Sequence, residues 1–138
     1  MHISINCLFL SLKIKGNAKY GFNQLNQEKF NEFCKFLISN DIRFGFDSCS
    51  SHKFFSYLNS DDSLTKEFKE QMYQCIEPCE SSIYSSYINV DAKYFPCSFC
   101  EGVNEWNDGL SVLECNDFLT DIWYNTKTKN FKNLYLLI

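Results

Sequence analysis

The chain has 138 residues, with 13 basic against 17 acidic side chains, a net charge of −4 and a pI near 5.1. That length holds one domain of ordinary size, not a full barrel plus a separate catalytic module. A single arginine (Arg43) and no lysine stripe argue against a nucleic-acid partner, and a composition 45% hydrophobic with 14 Phe and 8 Tyr excludes global disorder.

Residues 3–15 (ISINCLFLSLKIK) form a nearly continuous apolar run that predicts a buried strand, closed by the turn signal Lys15-Gly16-Asn17. Asn26 is placed to cap a helix over 27–39, in which Phe30, Phe33, Cys34 and Leu37 repeat at threes and fours. Residues 42–46 (IRFGF) read as a second strand. Strand, helix and strand at this spacing make a βαβ unit with parallel pairing. Short helices are expected at 53–58 and 64–75. Residues 84–90 and 94–95 predict a hairpin turning at Asp91-Ala92-Lys93 and ending at Pro96. Residues 101–109 read as a polar loop, and 118–124 as a helical turn or two with Phe118, Leu119, Ile122 and Trp123 inward. Residues 125–138 read as a tail, polar and then apolar.

No apolar run reaches the roughly 18 to 20 residues that cross a bilayer, so no membrane partner is expected. Residues 1–15 lack the basic leader and small-residue cleavage site of a signal peptide. The expected compartment is therefore the cytoplasm.

Eight cysteines in such a chain call for packing, metal binding or redox chemistry rather than structural disulfides. Cys7, Cys34 and Cys75 fall on apolar sides of their elements and read as buried small hydrophobes. Cys49 follows a strand end, Cys79 and Cys97 bracket the hairpin, and Cys115 precedes a helix, where the dipole favours a thiolate. Four thiolates from four elements suit either a tetrahedral zinc or a [4Fe–4S] cluster. Two closer pairs compete. Cys75 and Cys79 are four apart, and Cys97 and Cys100 form C-x-x-C, the spacing of zinc knuckles and of thioredoxin-like centres, although not at the start of a helix after a first strand.

Other chemistry is thinly equipped. The histidines are His2 and His52, with no second histidine at metal-ligand spacing, and phosphate-binding, dinucleotide and nucleophile-elbow motifs are absent. A Cys49–His52 nucleophile pair has the spacing but no third member. Arg43 and Asp47 flank the second strand.

The segments RFGFDSCSSHKF (43–54), EPCESSIYSSYINVDAKYFPCSFCEG (77–102) and LECNDFLTDIWYN (113–125) resemble the C-terminal part of radical SAM proteins that carry a SPASM or twitch-type auxiliary iron–sulfur domain. In that pattern a cysteine is followed by a spacer, a glycine, four residues and a cysteine. Here Cys79 is followed by twelve residues, Ala92, four residues and Cys97, so alanine stands where glycine is usual. Phe95-Pro96-Cys97 matches the aromatic-Pro-Cys that closes the hairpin.

The resemblance implies an α/β chain. A short β-α-β remnant of a partial TIM-like barrel (1–47) precedes a small α+β cysteine-rich hairpin domain (48–125) and a tail (126–138). It implies one [4Fe–4S] cluster held by Cys49, Cys79, Cys97 and Cys115. The C-x-x-x-C-x-x-C motif that cleaves SAM is missing, since Ser82 stands at the third position after Cys75 and Cys79. The expectation is a truncated or split portion, not catalytic alone, that works with a barrel-bearing radical SAM polypeptide or by self-association. The alternative is a zinc-binding structural or interaction module, using the same four cysteines or including Cys100.

Overall fold

Strand β1 (Asn6–Phe9) opens the first of two units into which the computed structural model divides the chain, Met1–Cys79 and Glu80–Ile138. Residues 6–15, 18 and 20–135 are described. Residues 3–5 of the expected first strand and Gly16 and Asn17 of its turn lie outside them. Helix α1 (Gln27–Ser39) begins where Asn26 accepts a hydrogen bond from the Lys29 N–H at 2.9 Å. Phe30, Cys34 and Leu37 are buried along one face, as a 3.6-residue period requires. The helix ends at Asn40, whose amide donates to the Phe36 carbonyl at 2.8 Å, and Asp41 turns the chain at φ 50°. Strand β2 (Arg43–Phe46) then pairs in parallel with β1, from Asn6 opposite Arg43 to Phe9 opposite Phe46. The expected βαβ unit is present as a two-stranded sheet.

A single tight turn at Ser48–Ser50 leads into α2 (Ser51–Ser60), and α3 (Lys66–Gln74) follows with Thr65 capping the Phe68 N–H. The core of this unit joins Phe30 and Cys34 of α1 to Phe54, Tyr57 and Leu58 of α2. Partly buried Phe46 packs against it, its ring 5.0 Å from that of Phe30 and 5.2 Å from that of Phe54. Such aromatic pairs add about 0.5–1.5 kcal/mol each beyond the area they bury.

The second unit is built on an antiparallel sheet ordered β3 (Tyr87–Ile88), β4 (Lys93–Phe95) and β5 (Leu110–Ser111). The hairpin between β3 and β4 is organised by Asn89. Its side-chain oxygen accepts from the Asp91 and Lys93 N–H groups at 3.0 and 2.9 Å, and its carbonyl accepts from Ala92 N–H at 3.1 Å. Ala92 occupies the left-handed position that closes this turn, φ 55°.

Three features differ from the sequence expectation. Residues 110–111, unassigned in the sequence, form the third strand, and the supposed loop before it contains a short helical turn at Asn104–Trp106 whose tryptophan is buried. The supposed tail forms helix α4 (Thr126–Tyr135), which buries Thr128 and Phe131. Asn125 begins it by accepting the Lys127 N–H at 2.9 Å. Between these, Leu119–Trp123 is a π-turn closed by Tyr124 N–H on the Leu119 carbonyl at 2.7 Å. Within it Ile122 is buried and Trp123 half-buried, but Leu119 is exposed, not inward. The extra residue in a π-turn shifts the faces away from the ordinary helical period. The core here joins Tyr94, Phe95, Trp106, Ile122 and Phe131. Among the described residues no helix is long and apolar enough to cross a membrane.

Candidate thiolate centre

None of the eight cysteines is disulfide-bonded, and their surroundings separate them. Cys34 is fully buried in the first core, and burial pushes its thiol up to about 12, which makes it an inert core side chain. Cys7 is half-buried on β1. Cys75, expected to be buried, is exposed, because α3 ends there and the residue caps the helix rather than continuing its apolar face.

In the first unit the turn after β2 carries Cys49. Asp47 anchors that turn by accepting from Ser11 N–H at 3.1 Å and from the Ser50 hydroxyl at 2.9 Å, and it pairs with the Lys13 ammonium. Burial pushes the Asp47 carboxyl up, but Lys13, Ser11 and Ser50 together outweigh it and hold the group below its ordinary value. Burial also pushes the Cys49 thiol up. Lys13 pulls it back, while the charges of Asp47 and Cys79 push the same way as burial, so Cys49 ends above its ordinary value. Cys49 and Cys79 are therefore near enough to sense one another. His52 gives Cys49 no base: its ring bonds the Cys49 backbone rather than the thiol, and burial and Lys53 lower its pKa.

In the second unit the hairpin strand β4 delivers Phe95-Pro96-Cys97 into a turn closed by Cys100 N–H on the Cys97 carbonyl at 3.0 Å. The Sγ atoms of Cys97 and Cys100 lie 3.5 Å apart. The Cys100 thiol bonds the Cys97 sulfur and is the largest influence drawing its pKa down to about 6, against opposition from burial. The backbone N–H groups of Phe99 and Cys100 and the Ser81 hydroxyl bond the same sulfur and act in the same direction. These contacts favour the anionic form of the Cys97 sulfur. Cys115 belongs to this unit as well. It packs with Cys100 against the second core, but its thiol donates to the Val112 carbonyl at 3.1 Å.

Of the four cysteines that the sequence singles out, Cys49 and Cys79 lie in the first unit, and Cys97 and Cys115 in the second. Among the described residues, no three or more His, Cys, Asp or Glu side chains gather at a point that would hold a metal. Cys97 and Cys100, the local C-x-x-C pair, stand in direct sulfur contact. Their sulfur separation matches one shared ion. Two thiolates at about 2.3 Å from a tetrahedral metal lie about 3.8 Å apart. In a cubane cluster each cysteine binds a different iron, which sets the sulfurs further apart. The 3.5 Å spacing of the pair is nearer the separation of two thiolates on one ion than that of two thiolates on a cubane.

Compared with known proteins, the chain matches no family model, no curated protein and no solved structure.

Proposed function

We propose that this chain binds a metal ion through cysteine thiolates, with Cys97 and Cys100 supplying the first two. The observation that carries this reading is the 3.5 Å separation of the two sulfurs within a hydrogen-bonded turn. The N–H groups directed at Cys97 favour the anionic sulfur that a metal requires. A borderline-soft divalent ion such as zinc suits that donor pair, and its role would be structural, fixing the β4 hairpin against the following turn.

A second reading is favoured by a separate observation. The hairpin places Ala92 at φ 55°, the position where the auxiliary-cluster hairpins it resembles carry glycine. In that reading the chain is the auxiliary-cluster portion of a radical SAM enzyme, with Cys49, Cys79, Cys97 and Cys115 as ligands of a [4Fe–4S] cluster. The β1-α1-β2 segment would then correspond to part of a partial barrel, and a barrel-bearing partner would supply SAM chemistry.

Cobalt(II) titration of the metal-free chain tests the first reading. One equivalent should produce thiolate-to-cobalt charge-transfer absorption that is lost in both Cys97→Ser and Cys100→Ser and retained in Cys75→Ser. Absorption that survives both of the first two substitutions removes this pair from the centre.

A further inference from the structure

The turn that joins Cys97 to Cys100 has a second capacity, independent of any metal. The i to i+3 hydrogen bond from Cys100 N–H to the Cys97 carbonyl defines a β-turn, which brings the two Cα atoms within about 7 Å, close to the span that a disulfide bridges. The sulfurs already stand 3.5 Å apart and need only approach to about 2.05 Å to bond. Both side chains are half-buried and so remain open to a small reagent, while flanking Ser98 and Phe99 are exposed. The pair lies within one turn of one unit, so closing it asks nothing of the rest of the chain. Three other cysteines lack this arrangement: Cys34 is sealed in the core, Cys115 is turned to the Val112 carbonyl, and Cys75 is exposed at a helix end.

We propose that Cys97 and Cys100 form a thiol–disulfide exchange site whose co-substrate is a low-molecular-weight disulfide of the glutathione class. The Cys97 sulfur carries three hydrogen-bond donors besides the Cys100 thiol, namely the Phe99 and Cys100 N–H groups and the Ser81 hydroxyl, and is the attacking atom. In the first step the Cys97 thiolate attacks one sulfur of glutathione disulfide. A Cys97–glutathione bond forms, the S–S bond of the reagent breaks, and one glutathione thiolate leaves. In the second step the Cys100 sulfur attacks Cys97, the intrachain disulfide forms, and the second glutathione departs with the proton that Cys100 gives up. Two electrons pass from the dithiol to the reagent, which ends as two glutathione molecules. Metal binding and this exchange draw on the same sulfurs, so a bound metal protects the pair and its loss exposes it.

The test uses the full chain freed of metal with a chelator, equilibrated in glutathione buffers of graded potential, acid-quenched and alkylated. Intact mass and peptide mapping then report which thiols are protected. The chain should lose two hydrogens, with protection confined to Cys97 and Cys100. The ratio of oxidised to reduced protein should change tenfold for each roughly 30 mV. Cys100→Ser should stop at a glutathione adduct on Cys97, and Cys97→Ser should form no intrachain disulfide. The proposal is overturned if both thiols stay alkylatable in the most oxidising buffer. It is equally overturned if a different pair bridges, or if Cys100→Ser collects adducts evenly over its exposed cysteines. Because the chain is metal-free throughout, these results stand apart from the cobalt titration, and either can fail without the other.

Discussion

The most specific consequence of the turn at Cys97 is its acidity. At pH 7 a thiol whose pKa has fallen to about 6 is roughly 90% ionised, against about 1% for one at its ordinary 9.0. A less basic thiolate is also a weaker nucleophile. With a Brønsted coefficient of about 0.4–0.5 that weakness removes roughly 20-fold of the roughly 90-fold gain. Alkylation of Cys97 by iodoacetamide at pH 7 should therefore run only about fourfold faster than that of an ordinary exposed thiol, and the contrast should widen as pH falls. The clearer signature is the midpoint of the pH–rate profile, followed on the Cys97 peptide of the metal-free chain by mass spectrometry, which should lie near 6. Cys100→Ala should move that midpoint upward, because the Cys100 thiol is the largest influence holding it down. The sign for stability follows. The folded pKa lies below the unfolded one, so the stabilisation is complete above the unfolded value. It is lost as pH falls through about 6. A Cys97 midpoint of 8 or more, unmoved by Cys100→Ala, would refute the reasoning.

Three further outcomes are expected. Ala92→Gly should stabilise the second unit by about 0.5–1 kcal/mol, since glycine relieves the left-handed strain of about 1–2 kcal/mol at φ 55° but gives back part of it in backbone entropy. A rise in thermal midpoint checks this, and a fall would show that the turn does not hold that conformation. Gly109→Ala should cost about 2–4 kcal/mol, the sum of left-handed strain at φ 63° and overpacking, because its Cβ would stand 2.7 Å from Phe95 Cζ and 2.9 Å from the Tyr94 carbonyl oxygen. Denaturant titration measures it. Asp47→Asn should destabilise the first unit by about 1–3 kcal/mol by removing the charged acceptor shared by Lys13, Ser11 and Ser50. As a carboxyl held below its ordinary value, Asp47 stabilises above its unfolded pKa and loses that effect on acidification, so the variant should also flatten the acid limb of the stability profile.

Where one residue carried a local mechanism, the sequence was readable. Asn26 at the start of α1 and the apolar stripe of Phe30, Cys34 and Leu37 define that helix from cap to end. The parallel pairing of β1 with β2 follows from the helix between them. The elements that escaped sequence reading lack such signals. Strand β5 is two residues long and owes its existence to the partner edge that β4 offers at Lys93 and Tyr94. Helix α4 has the sequence TKTKNFKNLY, whose threonines and asparagines are poor helix formers, and it is held by burial of Phe131 and Thr128 and by Lys127 over the Trp106 ring at 4.5 Å. At the thiolate centre the sequence read Cys97 as a cluster ligand together with Cys49, Cys79 and Cys115, and weighed the Cys97–Cys100 pair as a competitor. The decisive contact between them comes from the turn geometry after Pro96, which spacing alone leaves open. Cys75 went the other way, since a helix ending one residue earlier puts it outside the face that its periodicity predicts.

Anaerobic reconstitution with zinc, iron and sulfide together, followed by desalting and analysis of metal and acid-labile sulfide, tests the central claim most directly. The account predicts one tightly held zinc per chain, with little iron or sulfide, lost on substituting Cys97 or Cys100. Iron and sulfide in equal amounts near four per chain, lost with Cys49, Cys79, Cys97 or Cys115 but retained in Cys100→Ser, would transfer the claim to the cluster. A folded chain that retains neither metal would contradict both.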